Sequence, residues 1–108
     1  MEIFGLFTKA KIDDGVDEFR GTKDAVLLDV RTPAEYAEGH IPGSRNISLD
    51  NLSAVQTEIP QKDTPLFVHC RSGARSRQAV SFLKRMGYSN VKNIGGILDY
   101  HGEVERDR

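Results

Sequence analysis

Cysteine is almost absent from this chain, with a single residue at Cys70, and tryptophan is missing altogether. A lone cysteine excludes an internal disulfide framework and leaves one thiol that is either reactive or simply buried. Excess charge of either sign is missing too: 15 basic side chains face 16 acidic ones, a formal charge of −1. The whole molecule therefore offers no broad field for nucleic acid or for an anionic membrane, and neither is expected as a partner. No long hydrophobic run occurs. Ile3, Phe4, Leu6 and Phe7 are interrupted by Gly5 and fall short of a signal-peptide core, and nothing approaches the length of a membrane span. The expected location is cytoplasmic. Repeats and biased tracts are lacking as well, so a chain of 108 residues, 38% apolar and 29% charged, reads as one soluble globular domain.

What is present alternates between two periods. Residues 1–12 show no clear pattern and are set apart as an N-terminal arm without an assigned role, ahead of a domain over residues 13–108. Asp13 to Arg20 carry Val16 and Phe19 at helical spacing before Gly21. Ala25 to Val30 is a compact aliphatic run, the pattern of a strand buried on both faces of a parallel sheet. Thr32-Pro33-Ala34-Glu35 then reads as a capping box with proline at the first helical position, and Gly39 ends the short helix. His40 to Gly43 form a turn, Arg45 to Leu49 alternate like a strand, and Asp50 starts another short helix. Leu66 to His69 are a second buried strand. From Gly73, Ala79, Val80, Leu83 and Met86 mark one helical face that stops at Gly87. Val91 to Ile94 supply a last strand, Gly95-Gly96 a turn, and Ile97 to Val104 a docked C-terminal segment. This alternation predicts an α/β fold with a mostly parallel sheet flanked by helices, its ligand site beyond the carboxyl ends of the strands.

Cys70 lies at such an end. The segment Cys70-Arg71-Ser72-Gly73-Ala74-Arg75-Ser76 leaves a strand, turns through glycine and small residues, and enters a helix. Backbone N–H groups in such a turn point inward as an anion nest, and the helix start adds unpaired donors. A free cysteine is only about 3% thiolate at pH 7, whereas thiols at helix N-termini beside cations drop to roughly 3.5 to 7.5 in pKa. Cys70 is accordingly read as a nucleophile, with Arg71 to Ser76 as the substrate-binding cradle. Arg75 is expected to point inward, Arg71 is left open between cradle and solvent, and Arg77 is assigned to the surface. The bland reading of Cys70 as a small core residue leaves the two arginines, the glycine and the helix start unexplained.

Three segments resemble the rhodanese family, the thiosulfate sulfurtransferases, in single-domain form. They are Leu28-Asp29-Val30-Arg31 with Glu35 and Gly39-His40-Ile41-Pro42-Gly43-Ser44, then Cys70 to Ser76, then Asn93-Ile94-Gly95-Gly96-Ile97. The likeness spans roughly residues 13 to 104 and implies a compact rhodanese-like domain. It implies that Cys70 takes sulfane sulfur from a small anionic donor such as thiosulfate, becomes a persulfide, and passes the sulfur to cyanide, a thiol or a protein acceptor. It also implies that Arg75 and the amides from Arg71 to Ser76 hold the anion. No cofactor is required. Where many relatives carry an aromatic residue after the Gly-Gly pair, this chain offers Tyr100.

Several residues are set aside. Asp29 and Arg31 reach the loop if their strand neighbours that of Cys70, as an ion pair supporting it or a substrate contact; the structural pair is preferred. His69 should face away from Cys70, because adjacent strand residues point to opposite sides, and is read as a satisfied core histidine. His40 and His101 have no zinc-like spacing to Cys70, and no metal is predicted. Glu35 is explained as the capping partner of Thr32. The rival functions are a cysteine phosphatase or arsenate reductase, a non-catalytic interaction module, and a persulfide carrier without turnover. Phosphatase loops of this kind run C-x5-R, whereas Cys70 to Arg75 is C-x4-R, a tighter cradle suited to a single sulfur.

Overall fold

The computed structural model describes residues 10–107. Four strands, β1 (Val26–Asp29), β2 (Ser44–Asn46), β3 (Leu66–Cys70) and β4 (Val91–Gly96), form one sheet in the order β2-β1-β3-β4, every neighbouring pair parallel. Helix α1 (Lys11–Arg20) covers one face. Against the other lie α4 (Ala74–Arg85), α3 (Val55–Glu58) and the 3-10 turn Leu49–Ala54. The chain leaves β1 for β2 on one side and reaches β3 on the other, so the sheet reverses its order of travel between β1 and β3. In open parallel sheets that reversal leaves a crevice at the carboxyl ends. Asp29 and Cys70 end the two strands that border it.

Alternation within the strands sorts the core into two layers. Leu27, Phe67 and Ile94 meet Ile12 and Val16 of α1. Leu28, Val30, Leu66, Val68 and Cys70 meet Ala79 and Leu83 of α4 with Val55 and Leu52. This is why β1 and β3 read as unbroken apolar runs. Helix α1 rides close to the sheet because Gly15 has no side chain: a methyl group there would overlap Ile94. Helix α2 (Pro33–Glu38) has the expected capping box, with Thr32 and Glu35 exchanging side-chain and backbone hydrogen bonds.

Boundaries differ from the sequence reading in several places; strand β2, for one, runs Ser44–Asn46 and not Arg45 to Leu49. Helix α1 begins at Lys11, because Ile12 is needed in the core, so Lys11 and Ile12 leave the proposed arm; its residues 1–9 lie outside the described residues. The turn after β2 is capped at Ser48 and starts at Leu49 instead of Asp50. Cys70 is the last residue of β3 and pairs with Gly96, so Gly95-Gly96 belong to β4 and are no turn. The C-terminal segment docks only in part, since Leu98 and Val104 are exposed. Beyond them Glu105 makes both backbone hydrogen bonds of a bridge with His40, at 2.8 Å each, and the Asp107 N–H donates to the Ala37 carbonyl. His40 is buried, stacked on Tyr36 with ring centroids 3.9 Å apart. Among the described residues no helix is long and apolar enough to cross a membrane.

Candidate active site

Cys70 ends β3 with its sulfur under the turn that follows, and the residue is only 1% exposed. Gly73 adopts φ +105°, a left-handed conformation natural to glycine, and its N–H donates to the Cys70 Sγ at 3.0 Å. The turn then enters α4, where Ser76 returns over the sulfur with its Oγ 3.5 Å from Sγ. Burial is the largest single influence on the thiol and pushes it up. The Ser76 hydroxyl and the amides of Ser76, Gly73 and Ser72 act together against it, and the net result is a thiol held below its ordinary range. Dipoles, more than charges, thus stabilise the thiolate. The sequence reading credited the two arginines with much of this effect.

The donors are held by β4. The Ser76 hydroxyl lies 2.8 Å from the Asn93 Oδ1, which also accepts the Gly95 N–H at 3.0 Å. Gly96 lies directly beneath the loop, and a methyl group there would overlap the Arg71 carbonyl and the Ser72 Cα. The close approach has a bonding counterpart, since the Leu98 N–H donates to the Arg71 carbonyl at 3.1 Å. The sequence reading gives Asn93 and Gly96 no role at the site. Their only sequence signal is membership of the Asn-Ile-Gly-Gly-Ile run.

Arg75 departs from the simple cradle picture. Its two terminal nitrogens bond both oxygens of Glu35, at 2.7 and 3.0 Å. The guanidinium beside it holds the Glu35 carboxyl at about 2, from an ordinary 4.5, helped by the Thr32 hydrogen bonds and opposed by burial. Glu35 in return raises Arg75 further, with smaller contributions from Cys70 and Asp29. Arg75 therefore feels the charge of the sulfur but is bound to a carboxylate. Glu35 is both the capping partner of Thr32 and the partner of Arg75, 40 residues away in sequence. Local spacing reveals only the first role.

Asp29 and Arg31 form a buried pair at the end of β1. The Asp29 carboxylate accepts the Arg31 backbone N–H and the guanidinium, the shortest bond being 2.7 Å, and Arg31 also donates to the Gly39 carbonyl. The pair ties the C-terminal end of α2, at Gly39, to the sheet, in line with the structural preference. His69 is fully buried on the α1 side, opposite Cys70, but it is not a satisfied histidine: among the described residues its Nε2 has no hydrogen-bond partner, and it stands 3.9 Å from Asp29. Burial keeps it neutral by lowering its pKa, against the pull of Asp29. Arg71 and Arg77 are exposed, on opposite sides of the loop. A cleft beside the loop is lined by Arg31, Glu35, Glu38, Gly39, Arg71, Ile97 and Leu98. Tyr100 is absent from it and packs with the core under α1, so the aliphatic Ile97 and Leu98 form that rim.

Comparison with known proteins bears on this geometry. The rhodanese-like domain family matches residues 13–103. A protein of Allochromatium vinosum named as a sulfurtransferase is 44% identical over 84 residues, covering 75% of this chain and 78% of that protein. The thiosulfate sulfurtransferase PspE of Escherichia coli is 38% identical over 73 residues, 67% of this chain and 70% of its own length. Among solved structures, a rhodanese with anions from E. coli superposes with a TM-score of 0.70 at 34% identity, covering 76% of this chain and 98% of that one.

Proposed function

Because this chain belongs to the rhodanese-like domain family, whose sulfurtransferase members it resembles, we propose that it moves sulfane sulfur through a persulfide on Cys70. The carrying observation is the buried sulfur that receives the Gly73 N–H at 3.0 Å beneath a turn of further donors. Such a cradle stabilises an anionic sulfur at low cost in reorganisation, because strand β4 already fixes the dipoles.

The reaction is a double displacement. The Cys70 thiolate attacks the outer sulfur of thiosulfate, the sulfur–sulfur bond breaks, and sulfite leaves with the bonding pair. The enzyme is left as Cys–S–S⁻, and the three negative charges that entered are conserved. A thiolate or cyanide then attacks the outer persulfide sulfur, forms thiocyanate or a new persulfide, and regenerates the Cys70 thiolate. The loop from Arg71 to Ser76 holds the anion through its amides and the Ser76 hydroxyl. The same reading keeps the protein in a reducing cytoplasm, where a solitary thiol stays free.

The test is thiocyanate formation from thiosulfate and cyanide by the wild type and Cys70→Ser, with intact mass after thiosulfate alone. Cysteine-dependent turnover with a gain of about 32 Da, one sulfur atom, is the expected result. Mass gain without turnover identifies a carrier that serves a particular protein acceptor. Substantial turnover by Cys70→Ser, or no sulfur gain by the wild type, overturns the reading.

A further inference from the structure

The arginines around the crevice are largely spent on carboxylates. Asp29 neutralises Arg31 at 2.7 Å, and Glu35 grips Arg75 through two bonds. Arg71, exposed at the rim, has no carboxylate partner among the described residues. A cradle for a dianion would leave its inner cation free to meet the leaving group. Here that cation shares its charge with a fixed anion that itself lines the cleft.

We propose that Glu35 sets the donor preference of the site, opposing donors with a doubly charged leaving group such as thiosulfate and favouring hydropersulfides, whose leaving group is a singly charged thiolate. The inference rests on the reading of Cys70 as the persulfide-forming residue. With a hydropersulfide R–S–SH, the Cys70 thiolate attacks the terminal sulfur, the S–S bond breaks, and R–S⁻ departs with the bonding pair. The product Cys–S–SH keeps the proton, and one negative charge enters and leaves. No oxidant or reductant is needed. Dipoles of the loop suffice for that single charge, whereas a departing sulfite brings two charges toward the Glu35 carboxylate.

Glutamine at position 35 removes the charge and keeps one oxygen to accept from Thr32 and from Arg75, since glutamine also occurs at the third helical position of a capping box. Thiosulfate and 2-hydroxyethyl hydropersulfide, uncharged apart from its sulfur, are compared as donors to cyanide with wild type and Glu35→Gln, folding being checked by far-UV circular dichroism. For Glu35→Gln the KM for thiosulfate should fall about fivefold with kcat changed by less than about twofold, while the hydropersulfide KM stays within about twofold. The fall should disappear in roughly 1 M salt, where screening is nearly complete. An unchanged or higher thiosulfate KM, or an equal change for both donors, overturns the inference. Wild type alone provides a check that needs no substitution: its kcat/KM should be higher with the hydropersulfide, and a preference for thiosulfate sinks the idea. If the wild type gains sulfur mass from neither donor, the persulfide reading falls, and this inference with it. A mass gain with unaltered donor preference removes only the role of Glu35.

Discussion

At the scale of single residues the chemistry turns on how the pKa of a sulfur nearly out of reach of water is brought down. Burial alone would raise it. The Ser76 hydroxyl and three amides outweigh that influence and lower it, so removal of one donor should be felt in the pH profile before it is felt in the fold. Ser76→Ala should move the rising limb of kcat/KM to higher pH, since the thiolate is present above its pKa and the variant raises that pKa. A profile that does not move would show that the hydroxyl is irrelevant to ionisation. Glu35 gives a second titration. Its folded pKa of about 2 lies below the ordinary 4.5, so its stabilisation is complete above 4.5 and is lost as pH falls from 4.5 toward 2. The acid-unfolding curve of Glu35→Gln should lack that component. His69, neutral by burial, follows a related rule: the unfolded chain binds its proton first, near pH 6.5, and stability falls as pH drops from there. Its imidazole resonances should stay in the neutral range at pH 6 in the folded protein. Of these residues, only Cys70 and its loop were legible in the sequence. Spacing names a residue's local bond, as it did for Thr32 and Glu35, and is blind to a partner 40 positions away such as Arg75.

Elements were legible where one period dominated. The aliphatic runs of β1 and β3 and the capping box of α2 left no competing interpretation, and they set the sheet's buried centre and the entry to the site. One misjudged stretch was that in which glycine stands for closeness instead of a turn. Gly95-Gly96 continues β4 because a side chain at Gly96 would strike the loop after Cys70. Gly96→Ala should therefore leave the far-UV circular dichroism nearly intact and cut sulfur transfer by at least about tenfold, through loss of loop placement. Gly15 makes the opposite case, on the far face. Alanine is the better helix former by about 1 kcal/mol, but overlap with Ile94 under α1 costs roughly 1–3 kcal/mol. Overpacking should win, and Gly15→Ala should lower the urea midpoint while transfer at permissive conditions persists.

Over the whole molecule, one reversal of strand order gathers the end of β1, the end of β3 and the last residues of β4 at a single crevice. The loop contributes its own amides, but Asn93 and Gly96 that brace them come from the next strand and Glu35 from before β2. No segment can assemble the site by itself. Loss of sulfur transfer and loss of circular dichroism should coincide along a urea series, and an earlier loss of activity would mean that the loop opens as a unit of its own. The bridge between Glu105 and His40 acts at the other extreme of the chain. By side-chain exposure residues 101–107 resemble a frayed end, yet the backbone of Glu105 is paired on both sides and Asp107 is tied to Ala37. A protease needs a free extended segment to thread through its site, so cleavage of the folded protein should be slow at this clasp and should proceed only as fast as the strap lifts.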